Sequence, residues 1–373
     1  MTENEKTLIC FPNSFGFGPS GILLQVLKKI KPFWKGDIII ASSDWSQEIF
    51  KNMNFKFKII DERSEEKILD FIKQYKNPYV FTSMNRFAIQ ACKKDKIPCV
   101  FLDNLSWFWD NIPEYYFDAN RYYTEDIFDV ELNINKLKTE YKEKVRIVPL
   151  IGDYDDFKAV EIKTSNNYYM AISGLKNPFF KDFLPESYLK LIAEALNNVN
   201  TNNKTIYISS CRSNLEFLKK YINNKNIICD VFERDFFLTL IKTSNHIITT
   251  GGLNIMKDAL CNNKPLSSFL PMNKSLWQIV KNSKNKEYLQ NSLEWEKYID
   301  IDEIKLKNMT EKDAIPYFVD KSNELANNSR QKELFIADFT KIFEQKINKE
   351  KLVKLNYGGE DLLVKDLINF WKI

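Results

Sequence analysis

A two-domain α/β fold is what this sequence predicts, and three observations predict it. Short apolar runs alternate with helical patterns in both halves of the chain, as in parallel sheets covered on both faces. A polar stretch with little periodicity, residues 152–167, separates two such series. The length, 373 residues, exceeds what one hydrophobic core ordinarily serves.

Residues 7–11 open the first series as a strand. The loop PNSFGFGPSG follows, then an amphipathic helix over 22–30 that Pro19 is placed to start. Residues 37–41, 78–82 and 98–102 read as further strands, with helices at 65–75 and 85–94. Beyond Trp109 the pattern loosens into an aromatic, acidic stretch, and 146–150 reads as a last strand. The second series has strands at 168–173, 205–209, 227–231 and 246–250, and a further apolar run leading into Pro271 reads as the next strand. Its helices fall at 186–196, 215–222, 236–243 and 253–261. From Glu311 onward the chain is charged and helical, with strand character only at 352–355. The expected division is an N-terminal domain 1–155, a C-terminal domain 156–335, and helices 336–373 that return to the first domain. Two Rossmann-like domains of this kind place the carboxyl ends of their strands on a central cleft.

Composition bounds the function. The chain is 44% hydrophobic and 28% charged, as a soluble globular protein is. Its net charge of +4, from 54 basic and 50 acidic residues, is too small and dispersed to predict nucleic-acid binding. Cys10, Cys92, Cys99, Cys211, Cys229 and Cys261 stand apart without CxxC spacing, which predicts reduced thiols in a cytoplasmic protein. The N-terminus lacks a signal-peptide core, and no apolar run is long enough to span a membrane.

Residues 244–271 carry the strongest functional signal. An apolar strand breaks at Gly251-Gly252 and restarts as a helix at Leu253. The glycines let a ligand approach the backbone, and Asn254 can cap a helix whose free N–H groups attract phosphate. Asp258 follows one turn later on a similar face, so a ribose diphosphate fits; the alternative is an ordinary crossover with a glycine turn. Ser173-Gly174 and SSCRS follow two other strands of this half. Arg212 could pair with a phosphate or lie on the surface, and Phe232 could face a base or pack in the core with Phe236.

In the first half, Gly16, Gly18 and Gly21 match G-x-G-x-x-G. However, four residues separate the strand from the first glycine, and no acidic residue closes the second strand. Phe15, Gly16, Phe17 and Gly18 fit better as an acceptor-facing loop at the mouth of a cleft. Asp103 at a strand end, followed by Trp107 and Trp109, suits an acceptor pocket or, equally, a core closed by aromatics. His246, the only histidine, sits in an apolar strand as a core residue, which leaves no His-based metal site or His-dependent triad. The D-x-D spacings at Asp153/Asp155/Asp156 and Asp300/Asp302 read as solvated surface.

The 244–271 stretch resembles the donor-site motif of GT-B glycosyltransferases, especially UDP-glycosyltransferases and the lipid-linked GlcNAc transferase of peptidoglycan synthesis. Thr250-Gly251-Gly252 matches the family's His-Gly-Gly turn, Asn254 its asparagine, Asp258 its glutamate, and Asn263-Lys264-Pro265 its Gly-x-Pro close. Trp277-Gln278 resembles the acidic-Gln pair that contacts the sugar, with Trp277 in place of the acid. The match covers residues 226–278. The resemblance implies a GT-B fold, a UDP-linked sugar as co-substrate on the C-terminal domain, and no metal or other cofactor. It implies sugar transfer to a small-molecule or cell-envelope acceptor, with inversion and a carboxylate base. Because residues 12–21 carry no ionisable side chain, the expected base is Asp103, then Asp44, with Asp110 also a candidate and Arg86 able to bias whichever lies nearby. A GT-B-like nucleotide-sugar epimerase and a non-catalytic nucleotide-sugar binder are the alternatives.

Overall fold

Short apolar runs buried on both faces pair their backbone groups with neighbouring strands of a covered sheet, and this chain builds two such sheets. The computed structural model describes residues 6–43, 46–50, 55–152, 158–162, 166–175, 184–348, 350 and 352–373. The chain divides into two units, Met1–Asp153 with Asn356–Ile373, and Tyr154–Leu355.

The first unit contains β1 (Thr7–Pro12), β2 (Asp37–Ser42), β3 (Lys56–Ile59), β4 (Pro78–Ser83), β5 (Cys99–Asp103), β6 (Arg121–Glu125) and β7 (Val145–Val148). They pair in parallel in the order β3-β2-β1-β4-β5-β6-β7. The connecting helices are α1 (Gly18–Ile30), α2 (Gln47–Phe50), α3 (Glu65–Ile72), α4 (Arg86–Lys94), α5 (Val130–Ile134) and α6 (Thr139–Lys142). Two strands lack the apolar signature. β3, KFKI, is an edge strand with largely exposed side chains, and β6, RYYTE, hides its tyrosines between polar ends.

The second unit contains β8 (Asn167–Ala171), α7 (Glu186–Asn197), β9 (Thr205–Ser209), α8 (Arg212–Tyr221), β10 (Ile227–Cys229), α9 (Arg234–Thr243) and β11 (His246–Thr249). It continues with α10 (Leu253–Cys261), β12 (Leu266–Ser268), α11 (Lys274–Asn285), β13 (Asn291–Ser292), α12 (Glu303–Asn308), α13 (Glu311–Asn327) and α14 (Ser329–Glu344). The sheet order is β10-β9-β8-β11-β12-β13, again parallel.

The boundary expected at 335 falls inside α14. Phe335, Phe339, Ile342 and Phe343 are buried in the second core and keep that helix there. Only α15 (Gly359–Trp371) belongs to the first unit. Trp371 meets Trp34 and Tyr79 edge-on, with ring centroids 6.0 and 5.4 Å away. The Tyr123 hydroxyl donates to Asp366 Oδ2 at 2.6 Å. A side chain at Gly359 would collide with the Pro149 carbonyl. Strand character expected at 352–355 is replaced by one parallel bridge, Leu150 with Tyr357. Among the described residues, no helix is long and apolar enough to cross a membrane.

His246 is buried in β11 with Nε2 2.8 Å from Ser267 Oγ, and burial pushes its pKa down to about 4. An unfolded histidine titrates near 6.5, so the neutral buried ring contributes stability present above that pH and lost as pH falls toward 4. The loss approaches about 3 kcal/mol. Urea unfolding across this range should show a steeper acid decline for the native chain than for His246→Gln. Parallel declines would show that the ring is not the titrating group.

Candidate functional site

In the second sheet the chain leaves β8 toward β9 and β10, then returns to the other side of β8 as β11. Sheets that reverse in this way open a crevice at the carboxyl ends of the two central strands. Ser173-Gly174 follows β8 and Thr250-Gly251-Gly252 follows β11, so the reversal brings the two turns together.

Their contacts explain the sequence. Thr250 is buried; its Oγ1 accepts the Ser173 N–H at 2.8 Å and donates to the Ser173 carbonyl at 3.2 Å. Thr250 therefore ties the turns together through its hydroxyl. Gly251 has φ +94°, and a Cβ there would lie 2.8 Å from the Leu276 carbonyl oxygen. Gly174 has φ +76° and packs on Leu276 Cδ1 and Asn273 Nδ2. Gly252 needs no unusual backbone, but a Cβ would run into Ser173 Oγ and Cβ.

Gly252, not Asn254, is the N-cap of α10, and no side chain caps that end. Asn254 stands one residue inside the helix, because the turn closes through the Gly252 N–H bond to Thr249 Oγ1 at 3.2 Å. Asn254 and Asp258 are half-buried, and Asp258 is close enough to raise the pKa of the buried Tyr169 phenol, behind the larger effect of burial.

The floor under both turns is the start of α11, which the sequence did not single out. Asn273 caps this helix through Oδ1, which accepts the Leu276 N–H at 2.9 Å, and its Nδ2 donates to the Gly174 carbonyl at 3.3 Å. The available signal was an asparagine immediately before a helical run. Gln278 lies on this helix, half-buried, donating to Asn282 Oδ1 at 2.9 Å. Trp277 is buried, its Nε1 donating to Glu296. Arg212 and Phe232 follow β9 and β10, on the other side of β8 from β11 and its turn. Arg212 is exposed at the start of α8, and Phe232 packs on Phe236 and Tyr207 at 5.3 and 5.9 Å.

The first sheet also reverses, between β1 and β4. In the loop after β1, Asn13 Oδ1 accepts the Phe15 N–H and Asn13 Nδ2 donates to the Met84 carbonyl, both at 2.9 Å. Gly16 has φ +66°, Phe17 is exposed, Phe15 is half-buried, and Gly18 begins α1. Glu62, buried and missed in the sequence, accepts the Ser14 N–H at 2.6 Å, the Ser43 N–H at 3.1 Å and the Ser42 hydroxyl.

Asp103 is fully buried and saturated. Oδ1 accepts the Leu105 N–H at 2.7 Å; Oδ2 accepts Trp109 Nε1–H at 3.0 Å and the Tyr122 hydroxyl at 2.6 Å. Burial pushes its pKa up to about 6 against those donors. With both oxygens engaged and no exposure, it anchors the 103–109 turn. Trp107 is likewise buried, edge-on to Phe128 at 4.9 Å, and belongs to the core. Trp109 is half-buried over Asp103. Asp110 and Arg86 are exposed. Asp44, Asp153, Asp155 and Asp156 lie outside the described residues. Asp302 caps α12 through the Lys305 N–H, and no group of three metal-ligating side chains occurs among the described residues.

Neither a family model nor a curated sequence matches the chain. Solved structures do. A UDP-glucosyltransferase from Polygonum tinctorium capable of glucosylating indoxyl aligns over 93% of this chain and 100% of its own, with TM-score 0.53 and 11% identity. MurG of Acinetobacter baumannii aligns over 98% and 99%, with TM-score 0.51 and 11% identity. The UDP-GlcNAc 2-epimerase from Neisseria meningitidis, bound to UDP-GlcNAc, aligns over 98% and 100%, with TM-score 0.56 and 11% identity. The chain has the two-domain α/β layout of the GT-B fold.

Two outcomes follow. Asp103→Ala leaves three donors without their acceptor and should cost about 2–4 kcal/mol in urea unfolding; a cost under about 0.5 kcal/mol would show that the turn does not depend on this carboxylate. Gly252→Ala should cost about 1–3 kcal/mol by overpacking against Ser173. Adding Ser173→Gly should restore most of that loss, and no recovery would place the collision elsewhere.

Proposed function

We propose that the second unit binds a nucleotide sugar, most plainly a UDP-sugar, and that the enzyme transfers the sugar to an acceptor hydroxyl held by the first unit. The observation that carries this reading is the meeting of Ser173-Gly174 and Thr250-Gly251-Gly252 at the reversal of the second sheet, where α10 begins. The positive end of that helix would receive the diphosphate, and Asp258 one turn later would receive the ribose hydroxyls. Gln278 on α11 would contact the sugar. UDP would leave as the acceptor oxygen bonds to the anomeric carbon, with helix N–H groups stabilising its charge without a metal.

The acceptor proton needs a base. Glu62, Asp103 and Glu125 stand at or near strand ends of the first sheet, and all three are buried and hydrogen-bonded. We assign the base to Asp44, two residues beyond the end of β2 in sequence. The second reading is epimerisation of the nucleotide sugar, which requires no acceptor but still a base for the sugar proton, and the likeness to a UDP-GlcNAc 2-epimerase supports it.

Calorimetry with UDP tests the seat: Asp258→Ala should weaken binding by about 1.5–3 kcal/mol while circular dichroism stays native. Unchanged affinity would remove Asp258 from the site. Asp44→Asn should reduce transfer about a hundredfold or more at unchanged UDP-sugar affinity, and transfer should survive EDTA. Loss of transfer to EDTA with rescue by manganese would overturn the metal-free reading. Conversion of the UDP-sugar without any acceptor would decide for epimerisation.

A further inference from the structure

Glu311, the first residue of α13, reaches across to the start of α11 and closes a chain of hydrogen bonds that ends at the Gly174 turn. Its carboxylate accepts the Ser275 N–H at 3.1 Å through Oε2, and the Ser275 hydroxyl lies 2.8 Å from Oε1. That hydroxyl also lies 3.1 Å from Asn273 Oδ1. A hydroxyl carries one proton and can donate it to only one of these acceptors. We propose that Glu311 is a positioning residue of the nucleotide seat, setting through Ser275 and Asn273 how firmly Gly174 and the start of α11 are held, and that ligand affinity follows its protonation.

When Glu311 is ionised, Ser275 donates N–H and O–H to it, a charge-assisted pair that pins the first turn of α11. When Glu311 takes one proton from solvent, its own O–H donates to Ser275 Oγ. The Ser275 proton then turns to Asn273 Oδ1, which already accepts the Leu276 N–H. Asn273 Nδ2 holds the Gly174 carbonyl, and both Gly174 and Gly251 pack on Leu276. One proton at Glu311 therefore changes the donors around the residue on which both turns rest.

Burial pushes Glu311 up to about 7, outweighing the Ser275 bonds and the Lys274 ammonium, which pull the other way. Lys274, on α11, is the charged side chain that acts on this carboxyl; its Nζ is bonded to the Lys307 and Met309 carbonyls at 2.5 and 2.9 Å. No charged group of α7 or α14, the other helices packed on α13, contributes among the described residues. The switch thus falls in the neutral range, with the ionised form as the firm one.

The affinity half of this inference rests on the proposed function, whereas the coupling can be read without ligand. Amide shifts of Gly174, Gly251 and Leu276 should titrate together between pH 6 and 8 in the native chain. They should stay flat in Glu311→Gln, and the Gly174 shift should flatten in Ser275→Ala, which removes the hydroxyl relay but keeps the carboxyl and its bond from the residue 275 N–H. Flat shifts in the native chain, or titration that survives Glu311→Gln, would overturn the coupling. Binding of UDP-glucose and of UDP-N-acetylglucosamine, whose diphosphates keep their charge over this range, should weaken roughly three- to tenfold from pH 8 to pH 6 in the native chain and not in Glu311→Gln. Identical pH profiles in the two would overturn the affinity half. If neither nucleotide sugar binds at any pH, the nucleotide reading and the affinity half fall together, while the shift titration still decides the coupling.

Discussion

The second unit depends on a lack of space. Gly174, Gly251 and Gly252 come from two neighbouring strand ends, and at each a single methyl would strike Leu276, Asn273, Val280 or Ser173. Close packing of this kind fixes the turns to the first turn of α11 more tightly than hydrogen bonds alone would. Thr250 then spends its hydroxyl on Ser173, and Asn273 spends its amide on Gly174. Rigidity is what an anion seat built from backbone requires, because peptide N–H groups cannot be re-aimed by rotating a side chain.

The first unit solves a different problem at the same end of its sheet. It buries carboxylates, and each buried charge is expensive unless donors surround it. Glu62 gathers the loops after β1 and β2, while Asp103 gathers a backbone N–H, an indole and a phenol. Such residues look catalytic by type and position, yet they are consumed in shaping loops. Exposure and free lone pairs separate a base from an anchor, and neither is written in the order of residues.

How much was legible follows from this. The inner strands were, because two-sided burial leaves a continuous apolar run such as DIIIA in β2, and α10 was placed to the residue. β3 escaped because an edge strand can be charged, β6 because its buried side chains are tyrosines, and β13 because two residues make no pattern. In the candidate site, the glycine turns announced themselves, since few other residues could stand there. The roles around them did not. Asn254 and Gly252 compete for one cap, and the choice depends on Thr249 Oγ1 reaching the Gly252 N–H. Glu311 lies 36 positions from Ser275, a separation at which no local spacing carries information.

Gly359 has a consequence for how the chain comes to be folded. It lets α15 press against the Pro149 carbonyl, and α15 in turn brings Trp371 to Trp34 and Tyr79. All seven strands of the first sheet are synthesised before the second unit, but the helix that covers this aromatic face follows it. On the ribosome, the first sheet must therefore wait with Trp34 and Tyr79 lacking their last partner while the whole insertion Tyr154–Leu355 is made. The delay costs little at equilibrium, since loop closure grows only with the logarithm of length, at about 0.6 kcal/mol per doubling. Its weight is kinetic: until α15 is made, this aromatic face lacks the ring that Trp371 brings to it.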